Sequence, residues 1–116
     1  MGKLKIAVPT KAYAGLDGTI SKVFGKTKTF TIVEVEEGDV KNVRVIDNPA
    51  VSYDYGSEAV AAKTLADLKV NCVMAAELGL SATGLLEHYH IRKFSVKTNI
   101  KVADVIKENL KAEGLR

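Results

Sequence analysis

The sequence predicts an α/β fold: a mixed five-stranded sheet with one antiparallel strand and helices packed on it. Three observations predict it. Short β-branched stretches recur along the chain, as expected of strands buried in a sheet. Two of them are joined by a tight polar turn, which makes a hairpin and hence one antiparallel member. The later ones are separated by segments with apolar residues at helical spacing, and a helix crossover brings the next strand back parallel.

Lys3 to Val8 alternates, with Leu4, Ile6 and Val8 on one face, and Pro9 is expected to stop this first strand. Lys11 to Gly25 has three glycines and little periodicity, so it reads as a long loop with one helical turn at most. Thr29–Glu36 and Val40–Ile46 form the hairpin around Glu37-Gly38-Asp39. Asp47-Asn48-Pro49 ends it, because proline restricts the residue before it and cannot donate to a ladder. Ser57 is expected to cap a helix to about Lys69, with Val60, Ala61, Leu65 and Leu68 on the buried stripe. Val70–Ala76 is nearly all apolar, as a strand covered on both faces must be. Ser81 starts a second helix to about Tyr89, and Ile91–Val96 is the last strand. Thr98 or Asn99 caps a closing helix with Val102, Val105, Ile106 and Leu110 at helical spacing. Ligands of such sheets gather at the carboxyl ends of the parallel strands. Here that edge comprises the loop after Pro9, the loop Asn48–Gly56 and the loop Glu77–Ser81.

With 116 residues, 47% hydrophobic and 27% charged, the chain has the balance of one globular domain, predicted to span residues 1–116. There is no Trp and there are only three Phe, so the core must rest on Val, Ile, Leu and Ala. No apolar run is long enough to cross a bilayer. Met1-Gly2-Lys3-Leu4-Lys5 lacks the apolar stretch of a signal peptide, and a cytoplasmic protein is expected. A lone Cys72 permits no internal disulfide and fits a reducing compartment. Net charge is +3, with residues 29–58 acidic between basic ends. An excess this mild and this scattered argues against a nucleic-acid partner. Gln is absent and Lys far outnumbers Arg, which leans towards a heat-adapted source.

Gly79-Leu80-Ser81-Ala82-Thr83-Gly84 has the glycine spacing of a phosphate loop, but Leu85 and Leu86 stand where Lys and Ser/Thr are required. A triphosphatase is thereby rejected. Ser81 either caps a helix entry or helps free N–H groups hold a small anion. His88 and His90 are half of a tetrahedral metal site and read as a surface pair. Cys72 sits in an apolar strand, where a thiol behaves as a small hydrophobe. Tyr53-Asp54-Tyr55-Gly56 either offers a contact surface or packs back on the hairpin. No Ser/His/Asp set, HExxH or CxxC appears, so no enzyme is expected.

Lys5-Ile6-Ala7-Val8-Pro9, Ser21-Lys22-Val23-Phe24-Gly25-Lys26-Thr27 and Phe30–Val35 resemble the opening of the dinitrogenase iron–molybdenum cofactor biosynthesis domains, the NifX-like proteins and the C-terminal domain of NifB. Ile46-Asp47-Asn48-Pro49 is similar to the acidic-Asn-Pro that ends the family's hairpin, and Ala75–Ala82 falls where the family has a Gly-rich turn. The resemblance covers nearly the whole chain and rests on the order and spacing of short motifs. It implies a ribonuclease-H-like three-layer fold that binds, carries or presents an iron–sulfur or iron–molybdenum-type cofactor or its precursor, with a cluster-handling protein as partner.

Two departures stand out. The family often has His before Phe-Gly, where this chain has Val23, and its Gly-Gly-x-Gly turn is here Ala76-Glu77-Leu78-Gly79. A nuclease of this fold needs a carboxylate on the first strand, and Lys3 and Lys5 offer none. The expected role is therefore a non-enzymatic binder. Its candidate site residues are Lys11, Lys22, Val23, Phe24, Lys26, Asn48, Tyr53, Gly56, Glu77, Gly79 and Ser81, the lysines supplying charge for an anionic cluster. The alternative is a protein-interaction or regulatory module of the same fold that has lost the cofactor.

Overall fold

The computed structural model describes residues 3–112, with side chains to residue 108. The strands are β1 (Lys3–Thr10), β2 (Thr29–Glu36), β3 (Asp39–Asp47), β4 (Cys72–Ala75) and β5 (Arg92–Ser95). The helices are α1 (Ser57–Asp67), α2 (Leu80–His88) and α3 (Val102–Ala112), and a 3-10 turn occupies Gly15–Asp17. The sheet order is β3-β2-β1-β4-β5. β2 is antiparallel to β1 and β3, whereas β1, β4 and β5 run parallel. The mixed sheet with one antiparallel strand is thus present.

Alternation along the strands sends side chains to two faces. Ala7, Phe30, Ile32, Val73 and Ala75 pack with Ala61, Ala62 and Leu65 of α1 and Ala82 and Leu86 of α2. Ile6, Val8, Val33, Val35, Cys72 and Met74 pack on the other face with Val102, Val105 and Ile106 of α3. Each Leu or Ile buried this completely contributes about 1.5–3 kcal/mol. Val60 and Leu68, expected on the α1 stripe, are only half-buried, and Ala62 takes part instead. The side chain of Leu110 lies outside the described ones.

Several boundaries differ from expectation. Pro9 does not stop β1 but pairs with Phe30. Its carbonyl accepts the Ser21 N–H at 2.8 Å, so its ring nitrogen faces the side where β1 is no longer paired with β4 and no ladder donor is missed. β4 and β5 start later than read because the residues before them still close helices. Val70 N–H donates to Leu65 O and Ile91 N–H to Leu86 O, while Lys69 and His90 hold left-handed φ values of 66° and 60°. Both are Schellman endings built without glycine. Ser57 and Ser81 are not caps: Gly56, at φ 73°, and Gly79 occupy those positions, and neither helix start has a side-chain cap. Nor do Thr98 or Asn99 cap α3. The Asn99 N–H donates to Ile20 O and the Val102 N–H to Gly18 O, which docks this segment on the 18–20 loop and delays the helix. The hairpin turn is two residues, Glu37 and Gly38, at φ 56° and 84°, a type I′ turn that matches strand twist.

Candidate functional site

The carboxyl ends of β1, β3 and β4 lie at a single edge of the sheet, and buried polar side chains fix the 22–27 loop and the chain leaving β3 there. Thr10, Thr27, Thr29 and Thr31 are almost wholly buried. The Thr10 hydroxyl lies 2.7 Å from that of Thr29 and 3.0 Å from that of Thr31. The Thr27 hydroxyl donates to Thr10 O at 2.9 Å, which ties the end of the 22–27 loop to the end of β1. Asn48 is 2% exposed; its amide donates to Gly25 O and Thr27 O, both at 2.9 Å, and its carbonyl oxygen accepts the Ala50 N–H at 3.0 Å. One side chain therefore pins the 22–27 loop to the chain leaving β3. Phe24 drops its ring into the core, edge-on to Phe30 with centroids 5.5 Å apart.

Gly25 brings this loop against the start of α1. A Cβ there would meet Ser57 Oγ at 2.8 Å and Glu58 N at 3.0 Å, so only glycine allows the approach. Lys26 Nζ donates to the carbonyl of Tyr53, joining the same loop to the one before α1.

Between these segments opens a groove of about 540 Å³. Residues 22–26 form one wall, Asp54–Glu58 the second, and Glu77 and Gly79 the third. Seven of the eleven residues singled out from the sequence line it: Lys22, Val23, Phe24, Lys26, Gly56, Glu77 and Gly79. Four stand outside the lining. Lys11 donates to the Asn99 side chain, Asn48 lies beneath the loop it pins, Tyr53 offers its carbonyl to Lys26, and Ser81 is exposed on α2. Ser57 and Glu58 were not singled out. Ser57 looked like a cap, and nothing local in the sequence shows that Gly25 packs on it. Tyr55 is 91% exposed, so it does not pack back on the hairpin.

The lining holds Lys22 and Lys26 against Asp54, Glu58 and Glu77, so its side chains carry a net charge of −1. Positive potential comes instead from the backbone: α1 and α2 both start at this groove, and the first N–H groups of a helix have no partner within it. No Cys or His lines it. Cys72 is buried in β4, and burial pushes its thiol up to about 12 while Arg92 opposes. His88 and His90 lie at the far end of α2, about 13 Å of helix away. Among the described residues, no group of three or more His, Cys, Asp or Glu converges as a metal site would need, and no helix is long and apolar enough to cross a membrane.

The family model for the dinitrogenase iron-molybdenum cofactor matches residues 2–112. The uncharacterized protein MJ0580 of Methanocaldococcus jannaschii is 28% identical over 95 residues, which is 82% of this chain and 76% of that one. Among solved structures, PH0822 superposes with a TM-score of 0.80 at 25% identity, over 94% of this chain and 91% of the other. The apo form of the orange protein from Desulfovibrio gigas gives 0.81 at 22% identity, over 96% and 88%.

Proposed function

Because the chain belongs to the dinitrogenase iron–molybdenum cofactor family, we propose that its groove holds an iron–sulfur or iron–molybdenum-type cofactor, or a precursor of one, as cargo. The observation that carries this reading is convergence: three segments far apart in sequence line one open groove, and buried hydrogen bonds tie one of them, the 22–27 loop, to the ends of β1 and β3. Such a cargo is anionic, and Lys22, Lys26 and the N–H groups at two helix starts can donate to it. With neither thiolate nor imidazole in the lining, the cargo is held mainly through its periphery. Glu77 supplies the hard oxygen ligand.

The role in this reading is binding and transfer of the cargo. Transfer requires a cofactor-handling protein, and we assign that partner to the groove mouth. We also read the sheet order, with β2 antiparallel, as ribonuclease-H-like, residues 1–116 as one unit and the cytoplasm as its location. A second reading, an interaction module that keeps the fold without the cargo, is favoured by the exposure of Val23, Tyr55 and Leu80 around the groove, the last two above 90%.

Anaerobic incubation with ferrous iron and sulfide, followed by desalting and absorption spectroscopy, separates the two. Retained iron with a visible charge-transfer band is expected, reduced several-fold in Glu77→Ala. A colourless, iron-free protein would leave the interaction module as the better account.

A further inference from the structure

Two walls of the groove are attached to the fold in different ways. Residues 51–56 are all exposed, whereas Ala50 before them and Ser57 after them are buried. Asp54, Tyr55 and Gly56 of this segment line the groove. Its own hydrogen bonds are short-range turns, Val51 N–H to Asn48 O at 3.2 Å and Tyr53 N–H to Ala50 O at 3.0 Å. Among the described residues, one hydrogen bond reaches residues 51–55 from a distant part of the chain: Lys26 Nζ donates to Tyr53 O. The loop that carries Lys26 is fixed by other means, namely the buried Phe24 ring, the Thr27 hydroxyl and the two bonds from Asn48. Gly56 ends the exposed segment at φ 73°, with open space where a Cβ would stand, so the chain can turn there freely.

We infer that residues 51–56 are a lid on the groove, hinged at Gly56 and held shut by Lys26. The 22–27 loop hangs on buried bonds, whose loss strands buried groups, whereas the lid hangs on one surface bond that water can replace. Local opening is drawn from segments with few buried contacts and exposed backbone bonds, and residues 51–56 are such a segment. Opening moves Asp54 and Tyr55 away from the 22–26 wall and widens the groove. What the lid admits rests on the cargo reading above, while the latch is a property of the empty protein. Lys26 thus has a task besides its charge: it fixes where the facing wall stands.

The test is limited digestion of the full chain with chymotrypsin, read by mass spectrometry. Cleavage after Tyr53 and Tyr55 requires the segment to detach, so its rate follows the population of the open lid. Lys26→Met keeps the stem and removes the donor, and initial cleavage at both tyrosines should be about fivefold faster, the worth of one hydrogen bond. Lys26→Arg restores a donor and should return the rate towards that of the parent. Cleavage after Tyr13, 56% exposed and outside the lid, should be equal in all three proteins. Equal rates at Tyr53 and Tyr55 in the parent and Lys26→Met, equal acceleration at Tyr13, or no recovery in Lys26→Arg would overturn the lid. Iron retention by the parent is measured separately. A parent that keeps no iron but shows the latched cleavage pattern loses the cargo and keeps the lid, and one that keeps iron with equal cleavage rates loses only the lid.

Discussion

At the scale of single residues, the groove depends on side chains that never touch its contents. Asn48 satisfies two loop carbonyls and one N–H from a position 2% exposed. Asn48→Ala should cost about 3 kcal/mol, because it strands buried acceptors as well as losing bonds. Urea unfolding measures this, and hydrogen exchange should show the 22–27 amides loosening before those of the β1–β2 ladder. Cys72 makes a second residue-scale prediction. Its thiol is held up to about 12, above the ordinary value of 9.0, so the folded state keeps its proton after the unfolded chain has lost it. Stability from this residue is therefore complete below about pH 9 and is lost as pH rises towards 12, at about 1.4 kcal/mol per pH unit. Cys72→Ala should flatten that alkaline slope in denaturant titrations, and the wild-type thiol should resist alkylation at pH 8 until the chain unfolds. The asparagine was visible in the sequence as part of Asp47-Asn48-Pro49, but its task was not. A motif shows that a residue type is wanted, whereas its partners, Gly25 and Thr27, are set by the return of a distant loop.

At the scale of elements, the period-two and helical patterns located every strand and helix, and the misreadings cluster at their ends. Helix ends are decided by a few hydrogen bonds that local patterns do not encode. Lys69 and His90 both stand in left-handed geometry immediately after a helix, where glycine is the usual occupant. Without a glycine signal, the helix exits read as the opening of the following strands. The same geometry gives His90 a structural setting at the end of α2 remote from the groove. Lys69→Gly and His90→Gly should each raise stability by up to about 1 kcal/mol, since the left-handed cost of a side chain is removed. Thermal melts of the two variants check this, and neither change should alter iron loading. Ser57 and Ser81 were misread for a related reason. Gly56 and Gly79 take the cap positions, which leaves both serines inside the first turn and Ser57 turned toward Gly25.

For the whole molecule, the sheet order places the ends of β1, β3 and β4 at one edge, and α1 and α2 begin there on the same face. The edge itself was legible from topology, because parallel strands with helix crossovers send their loops to one end. Its charge was not: Lys11 turns away to Asn99, and three carboxylates face the two remaining lysines. The central claim is that this groove, rather than the histidine end of α2 or the opposite face of the sheet, receives the metal–sulfur cargo. Amide spectra recorded before and after anaerobic addition of ferrous iron and sulfide test it most directly. Broadening and shifts confined to residues 22–26, 54–58 and 77–81 are the predicted result. Changes centred on His88 and His90, or an unaltered spectrum with no iron retained, would contradict it.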